Sequence, residues 1–429
     1  MPIDAQTATA RKHRSQQPMA RRALILVEGH SRLGLQYVQA ARRLGLHPIT
    51  LSADPTQYDY LATESIEAIR INTNNLDALI HKCSRLCATY DIAGIIGFSR
   101  ADDSACVTAG KLCRYFELPG PNPTSMERCC DKFTQRQLLE GAGVPVPAYR
   151  LAANATAAES SAAEIGLPVI LKPAVGSGSS GVRLCRNLDE LAEHTTYLLG
   201  GKHVWQSSPR ILVEEFAQGP FYVADIMGND VLAIGAAEFG SPPDFVFREF
   251  TFPAPLNDND YKRVTDVSLS CLRALGLGWG PTNIEFRWTK RGPVVIEVNP
   301  RVPGTPDPEL VQLAYGVDLI SEHIKLAIGK KCDLRRKHSH TAVARMLVPD
   351  QDGTLDWIEG DGRAAAVPGV AEVKLYVEHN TSILRKGDYR DLIGHVIAAS
   401  PSPVQTKAII QRAVDSIDWV ITPFPTLGE

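Results

Sequence analysis

The chain has 429 residues, 44% of them hydrophobic and 22% charged, which is enough apolar side chain for several cores and excludes a disordered or collagen-like polymer. Lysine and arginine number 45 against 48 aspartate and glutamate, a net charge of −3, so no basic excess marks a nucleic-acid or membrane-surface binder. Nine cysteines without any CxxC spacing fit neither a disulfide framework nor a zinc site, and suit a reduced, cytoplasmic compartment.

Residues 1–22 are polar and carry Arg11, Lys12, Arg14, Arg21 and Arg22. They lack the apolar stretch of a secretory signal and are expected to form a disordered leader. No apolar run reaches the ~18 residues of a membrane span. Ala23–Val27 then reads as a buried strand, followed by a helix with Leu33, Tyr37, Ala40, Ala41 and Leu44 at helical spacing and Gly45 at its end. A strand over His47–Leu51, a helix over Leu76–Tyr90 and a strand over Ile92–Gly97 continue the alternation, which predicts a parallel, Rossmann-like α/β domain over residues 23–124. Gly29 and Gly34 do not spell the dinucleotide fingerprint GxGxxG.

Prolines 119, 121, 123, 145 and 147 bracket a helical stretch from Ser125 to Gly141, a connector into the next domain. Beyond it lie a strand over Pro168–Pro173 and a helix over Asn187–Leu199 with Asn187 as its N-cap. Strands over Thr341–Leu347 and Val370–Val377 and a last helix over Gln405–Ile417 predict a small closing domain. The expected fold class is α/β and α+β, with a central domain over residues 125–339 and a C-terminal lid over 340–429.

Two constellations carry chemistry. Gly176, Ser177, Gly178, Ser179, Ser180 and Gly181 form a GxGxxG that joins strand to strand, not strand to helix as a dinucleotide site requires. With Lys172 on the incoming strand it reads as a flap over nucleotide phosphates, its backbone N–H groups free to approach and the lysine a point charge. A Ser/Gly surface turn is the alternative reading.

The second is a hairpin of two alternating runs, Asn283–Trp288 and Val294–Asn299. Pairing Trp288 with Val294 places Glu285 opposite Glu297 and Asn283 opposite Asn299, with Ile284, Phe286, Trp288, Val294, Ile296 and Val298 on the apolar face. Two facing carboxylates repel unless a cation lies between them. Glu285, Glu297 and Asn299 are a hard-oxygen set that suits Mg²⁺ completed by substrate phosphates, and a solvated hairpin face would not place glutamate opposite glutamate. Arg301 follows Pro300 and can turn its planar guanidinium to the same zone. Between the two constellations, Glu214, Glu215 and Phe216 end an apolar strand as an adenine ledge would.

In order and spacing, Asp131-Lys132, Lys172-Pro173, Gly176–Gly181, Glu214-Glu215-Phe216, Glu285 and Glu297-Val298-Asn299-Pro300-Arg301 resemble the ATP-grasp superfamily, from Ala23 nearly to the end of the chain. Pro308–Val311, Gly316–Leu319, Pro368–Val370 and Gly387–Arg390 look most like the L-amino-acid (dipeptide) ligases of the bacilysin and dapdiamide type. The resemblance implies an ATP-grasp fold and an ADP-forming acid–amino-acid ligase acting through an acyl phosphate in peptide natural-product, antibiotic-type biosynthesis. It implies ATP and Mg²⁺ (Mn²⁺ as substitute), small-molecule carboxylate and amino-acid substrates, and a homodimer.

By the same resemblance, Lys132 and Lys172 contact the α- and β-phosphates and Arg301 steadies the transferred phosphoryl group and the oxyanion. Phe221 stands where many relatives place a ribose-binding glutamate, which leaves Asp225 or a backbone group for the ribose. Asn283 stands where a histidine is frequent. Thr305 and Asp307 lie near the acyl side. The alternatives are an ATP-grasp enzyme of nucleotide or carboxylation metabolism and a non-catalytic ATP-binding regulator.

Overall fold

The structure, a computed structural model, describes residues 20–98, 103–200 and 210–425; the expected leader lies outside them up to residue 19. A parallel four-stranded sheet comes first, in the order Glu67–Arg70, His47–Ser52, Arg21–Val27, Tyr90–Gly97. Its central strand is buried from Ala23 to Val27, as the unbroken apolar run requires. The helix Leu319–Ala327 returns to cover this sheet through Ile320, Ile324 and Ala327. Its approach needs Gly94, where a Cβ would sit 2.7 Å from the Ala327 carbonyl oxygen.

A four-stranded sheet follows in the order Tyr149–Ala152, Ile211–Glu215, Val169–Pro173, Arg183–Cys185, with antiparallel neighbours. Helices Ala155–Ile165 and Leu188–Gly200 pack beside it. The latter starts as expected, with Asn187 Oδ1 accepting the Glu190 amide at 2.9 Å. An eight-stranded antiparallel sheet runs Gly292–Asn299, Pro281–Thr289, Phe221–Met227, Asp230–Phe239, Phe247–Phe252, Thr341–Leu347, Gly394–Ser400, Val370–Leu375. It crosses residue 340 without a break. The strands Thr381–Ile383, Gly353–Glu359 and Asp418–Thr422 form a last small sheet. None of the described helices is long and apolar enough to cross a membrane, and all nine cysteines are free thiols.

Three local expectations change. The helix read over Leu76–Tyr90 ends at Leu86, because Tyr90 already pairs with Arg21 and stacks on His47. The stretch Ser125–Gly141 is two helices, Pro123–Cys130 and Lys132–Gly141, broken at Asp131. Asp131 is extended, and its carboxylate accepts the Thr134 amide at 2.8 Å as an N-cap. The hairpin carries a bulge: Glu285 faces Glu297, but Phe286 faces Val295 and Trp288 faces Pro293. One extra residue reverses the facing of everything on its turn side. Val295 therefore joins the core with Ile284, Phe286 and Val298, and Ile296 lines the cavity described next.

Candidate active site

One face of the eight-stranded sheet is the floor. Asn283 lies opposite Asn299 and Glu285 opposite Glu297 in Cα register, so the two carboxylates stand side by side. Burial raises the Glu285 carboxyl to about 7, and the Glu297 charge adds to the effect. Lys132 Nζ lies 3.0 Å from Glu297 Oε1 and donates to the Gly176 carbonyl at 2.5 Å, tying the floor to the flap. The break at Asp131 sets Lys132 at the first helical position, where its side chain reaches both. Arg301 donates to Asn299 Oδ1 at 3.4 Å and from Nε to Asp103 Oδ1 at 2.9 Å.

The smaller sheet is the roof. Lys172 Nζ lies 2.5 Å from Glu214 Oε2, and Arg136 Nε lies 2.7 Å from Glu214 Oε1. Burial disfavours charge on Glu214, but Arg136 and Lys172 together hold its carboxyl below the usual range. Glu214, expected to meet adenine, thus turns its carboxylate to two cations. Glu215 accepts Arg291 at 2.9 Å and the Ala148 amide at 3.1 Å. The next residues, Phe216 and Ala217, leave the strand and line the cavity.

The flap leaves Lys172's strand through left-handed positions at Gly176, Gly178, Ser179 and Gly181. The φ of +67° at Gly178 fits glycine, and Tyr389 crowds it as well: a Cβ there would meet the ring at 2.5 Å. Arg390 donates to Ser180 Oγ at 3.3 Å.

A single cavity gathers Lys132, Lys172, Glu285, Glu297, Asn299 and Arg301 with Gly176–Ser180 and Glu214–Phe216. Its empty volume is about 940 Å³ with its open mouth included. Gly181 faces an adjoining groove. Asp225 does not join the cavity, which corrects the ribose expectation. It is paired in register with Asn283, accepts its amide at 2.9 Å, and is 1% exposed with its carboxyl raised by burial to about 7. Thr305 and Asp307 also lie off the cavity, and burial together with the Asp225 charge pushes the Asp307 carboxyl well up.

Two residues were not singled out from sequence. Arg136, fully buried, stands four residues after Lys132 on one helix face, a spacing that could have exposed it. Arg287 stands two residues after Glu285 on the same strand face and lines the cavity. Among the described residues no three of His, Cys, Asp or Glu are grouped to hold a metal. Two carboxylates and an amide oxygen fit a hard divalent ion whose shell phosphates complete.

A family profile described as the carbamoyl-phosphate synthase L chain ATP binding domain matches residues 131–335, and one described as L-amino acid ligase C-terminal domain 2 matches residues 345–422. The chain belongs to the ATP-grasp carboxylate–amine ligases. This ATP-grasp ligase is 62% identical over 409 residues to the uncharacterized protein y4rH of Sinorhizobium fredii, covering 95% of this chain and 85% of that one. It is 26% identical over 413 residues to carnosine synthase 1 of Homo sapiens, covering 89% of this chain and 49% of the synthase; it spans about half of that relative's length. The L-amino acid ligase of Bacillus licheniformis shares its fold, with a TM-score of 0.77 at 19% identity over 94% of this chain and 99% of that one.

Proposed function

We propose that this ATP-grasp ligase joins a carboxylate to the amino group of an amino acid, turning ATP into ADP and phosphate by way of an acyl phosphate. The observation that carries the reading is the meeting of Lys132, Lys172, Arg301, Glu285, Glu297 and Asn299 in one cavity beneath a glycine flap. The L-amino acid ligase match over residues 345–422 supports amide formation over carboxylation.

In the first step a carboxylate oxygen bonds to the γ-phosphorus as the bond to the ADP oxygen breaks. In the second, the amine nitrogen bonds to the carbonyl carbon, phosphate departs with the bonding pair, and the nitrogen releases its proton to solvent. Lys172 and Lys132 are point charges for the phosphates, and the flap's backbone N–H groups cover them. Arg301, aimed by Asp103 and Asn299, faces the oxyanion that develops at the acyl carbon. Backbone groups of Phe216 and Ala217 meet the adenine edge. Mg²⁺ held by Glu285, Glu297 and Asn299 would neutralise phosphate charge, with Mn²⁺ as a substitute. Closure of the flap keeps water from the acyl phosphate.

The test is incubation with ATP, Mg²⁺ and a panel of amino-acid pairs and short acyl amino acids, reading phosphate release and products by mass spectrometry. Phosphate released in step with a new amide supports the reading. ADP formed without any amide contradicts it.

A further inference from the structure

The nucleotide cavity has two unlike ends. Lys132, Lys172, Glu285, Glu297, Asn299 and Arg301 crowd one end, and the other is walled by Phe216, Phe221, Phe239, Phe245 and Phe247. The polar side chain on the sheet floor at the aromatic end is Arg287. It is the Cα partner of Phe221 and stands two residues, about 7 Å along the strand, from Glu285. Its guanidinium carbon lies 5.1, 4.9 and 5.9 Å from the ring centres of Phe221, Phe239 and Phe245, and Nη1 donates to the Gly219 carbonyl at 2.9 Å.

Three rings and one carbonyl fix the plane of this guanidinium, and a planar fork with five N–H groups has donors left over. Arg287 lines the same cavity as the metal-type carboxylates and the Glu214–Ala217 segment. The carboxylates that could otherwise accept a sugar hydroxyl there are committed, Glu214 to Lys172 and Arg136 and Glu215 to Arg291. Asp225 is buried outside the cavity.

We infer that Arg287 is the residue that recognises the nucleotide's ribose, donating to a 2′- or 3′-hydroxyl from its aromatic cradle. The inference rests on the ATP reading above. Burial among the rings lowers the Arg287 pKa to about 10, which still leaves it a charged donor at neutral pH.

The experiment is a binding cycle by calorimetry, with ATP, 2′-deoxyATP and 3′-deoxyATP as probes against the full chain, Arg287→Leu and Arg287→Lys. The native protein is expected to bind one deoxynucleotide about tenfold or more weaker than ATP, the worth of a hydrogen bond to a charged group. Arg287→Leu, which keeps apolar contact with the rings, is expected to bind ATP at that weaker level and no longer to distinguish the analogue. Arg287→Lys should retain part of the distinction, and carries the cycle if the leucine variant does not fold. Equal binding of all three nucleotides by the native protein overturns the inference, as does a deoxy penalty that survives in the variants. Failure of the native protein to bind ATP at all overturns the nucleotide reading itself, a result plainly different from those two.

Discussion

Glu285 and Glu297 are direct partners across one hairpin, and the nearest cation in an ion pair with either is Lys132, 3.0 Å from Glu297. Facing like charges destabilise a sheet pair, so a fold that keeps them gains little stability from doing so. Glu285→Gln is accordingly expected to leave the thermal midpoint of the ligand-free protein unchanged or higher. Turnover with ATP and Mg²⁺ should fall on the order of a hundredfold or more. Thermal melts with and without Mg²⁺–ATP, together with phosphate release, check both halves. A variant that loses stability but keeps its rate would contradict the metal assignment.

Arg301 has its direction set by Asp103 and Asn299. Arg301→Lys keeps the charge and loses the planar fork. The expected result is kcat reduced roughly a hundredfold or more with little change in the KM for ATP, because the group acts on charge that develops during reaction. Steady-state kinetics decide it; a pure KM effect would make Arg301 a ground-state binding group.

Arg136 lies under the roof with no exposed surface, bonded to Glu214 and to the Ile296 carbonyl. Arg136→Met leaves Glu214 with Lys172 as its one remaining ion-pair partner and orphans the carbonyl. A loss of about 3–5 kcal/mol is expected. Arg136→Lys should recover little, since one ammonium cannot serve both acceptors at the guanidinium's spacing. Chemical denaturation measures the difference.

His323 is buried with Nδ1 2.7 Å from the Tyr37 hydroxyl, and burial lowers its pKa from 6.5 to about 3. The unfolded chain takes up this proton near pH 6.5 and the folded chain only near 3. Between those values the unfolded state binds more protons, so stability falls as pH drops and this contribution is fully present above 6.5. The cost is about 2 kcal/mol at pH 5 relative to pH 7.5. His323→Gln, which retains a hydrogen-bonding partner for Tyr37, is expected to lose less thermal stability over that interval than the native protein. Equal losses would contradict the burial account.

The Glu285–Glu297 and Asn283–Asn299 pairs were legible in the two alternating runs, although the Trp288–Val294 pairing that led to them does not hold: Trp288 faces Pro293, and the bulge at Ile296 restores the register. The spacing did not reveal the bulge, because Ile296 is as apolar as Val294, Val295 and Val298 and nothing in its chemistry marks it as the extra residue. Asp131 breaks a helix that composition would continue, since an N-capping carboxylate looks like any other polar residue until its chain direction is known. Asp225 is polar and near the right place in sequence, and it shares a sheet face with Phe221 and Glu285, yet it stands two residues beyond the partner of Glu285, bonded to Asn283 and buried outside the cavity. Arg136 and Arg287 were legible only as partners, one four residues from a lysine on a helix and the other two residues from a glutamate on a strand.

The decisive step of the proposed reaction is attack of a carboxylate on the γ-phosphate. It is tested most directly by supplying the acid that turns over as its ¹⁸O-labelled carboxylate, with ATP, Mg²⁺ and the amine, and weighing the phosphate released. One ¹⁸O is expected in phosphate for each amide formed, because the bridging oxygen of the acyl phosphate leaves with phosphorus. Unlabelled phosphate accompanying amide formation would contradict it.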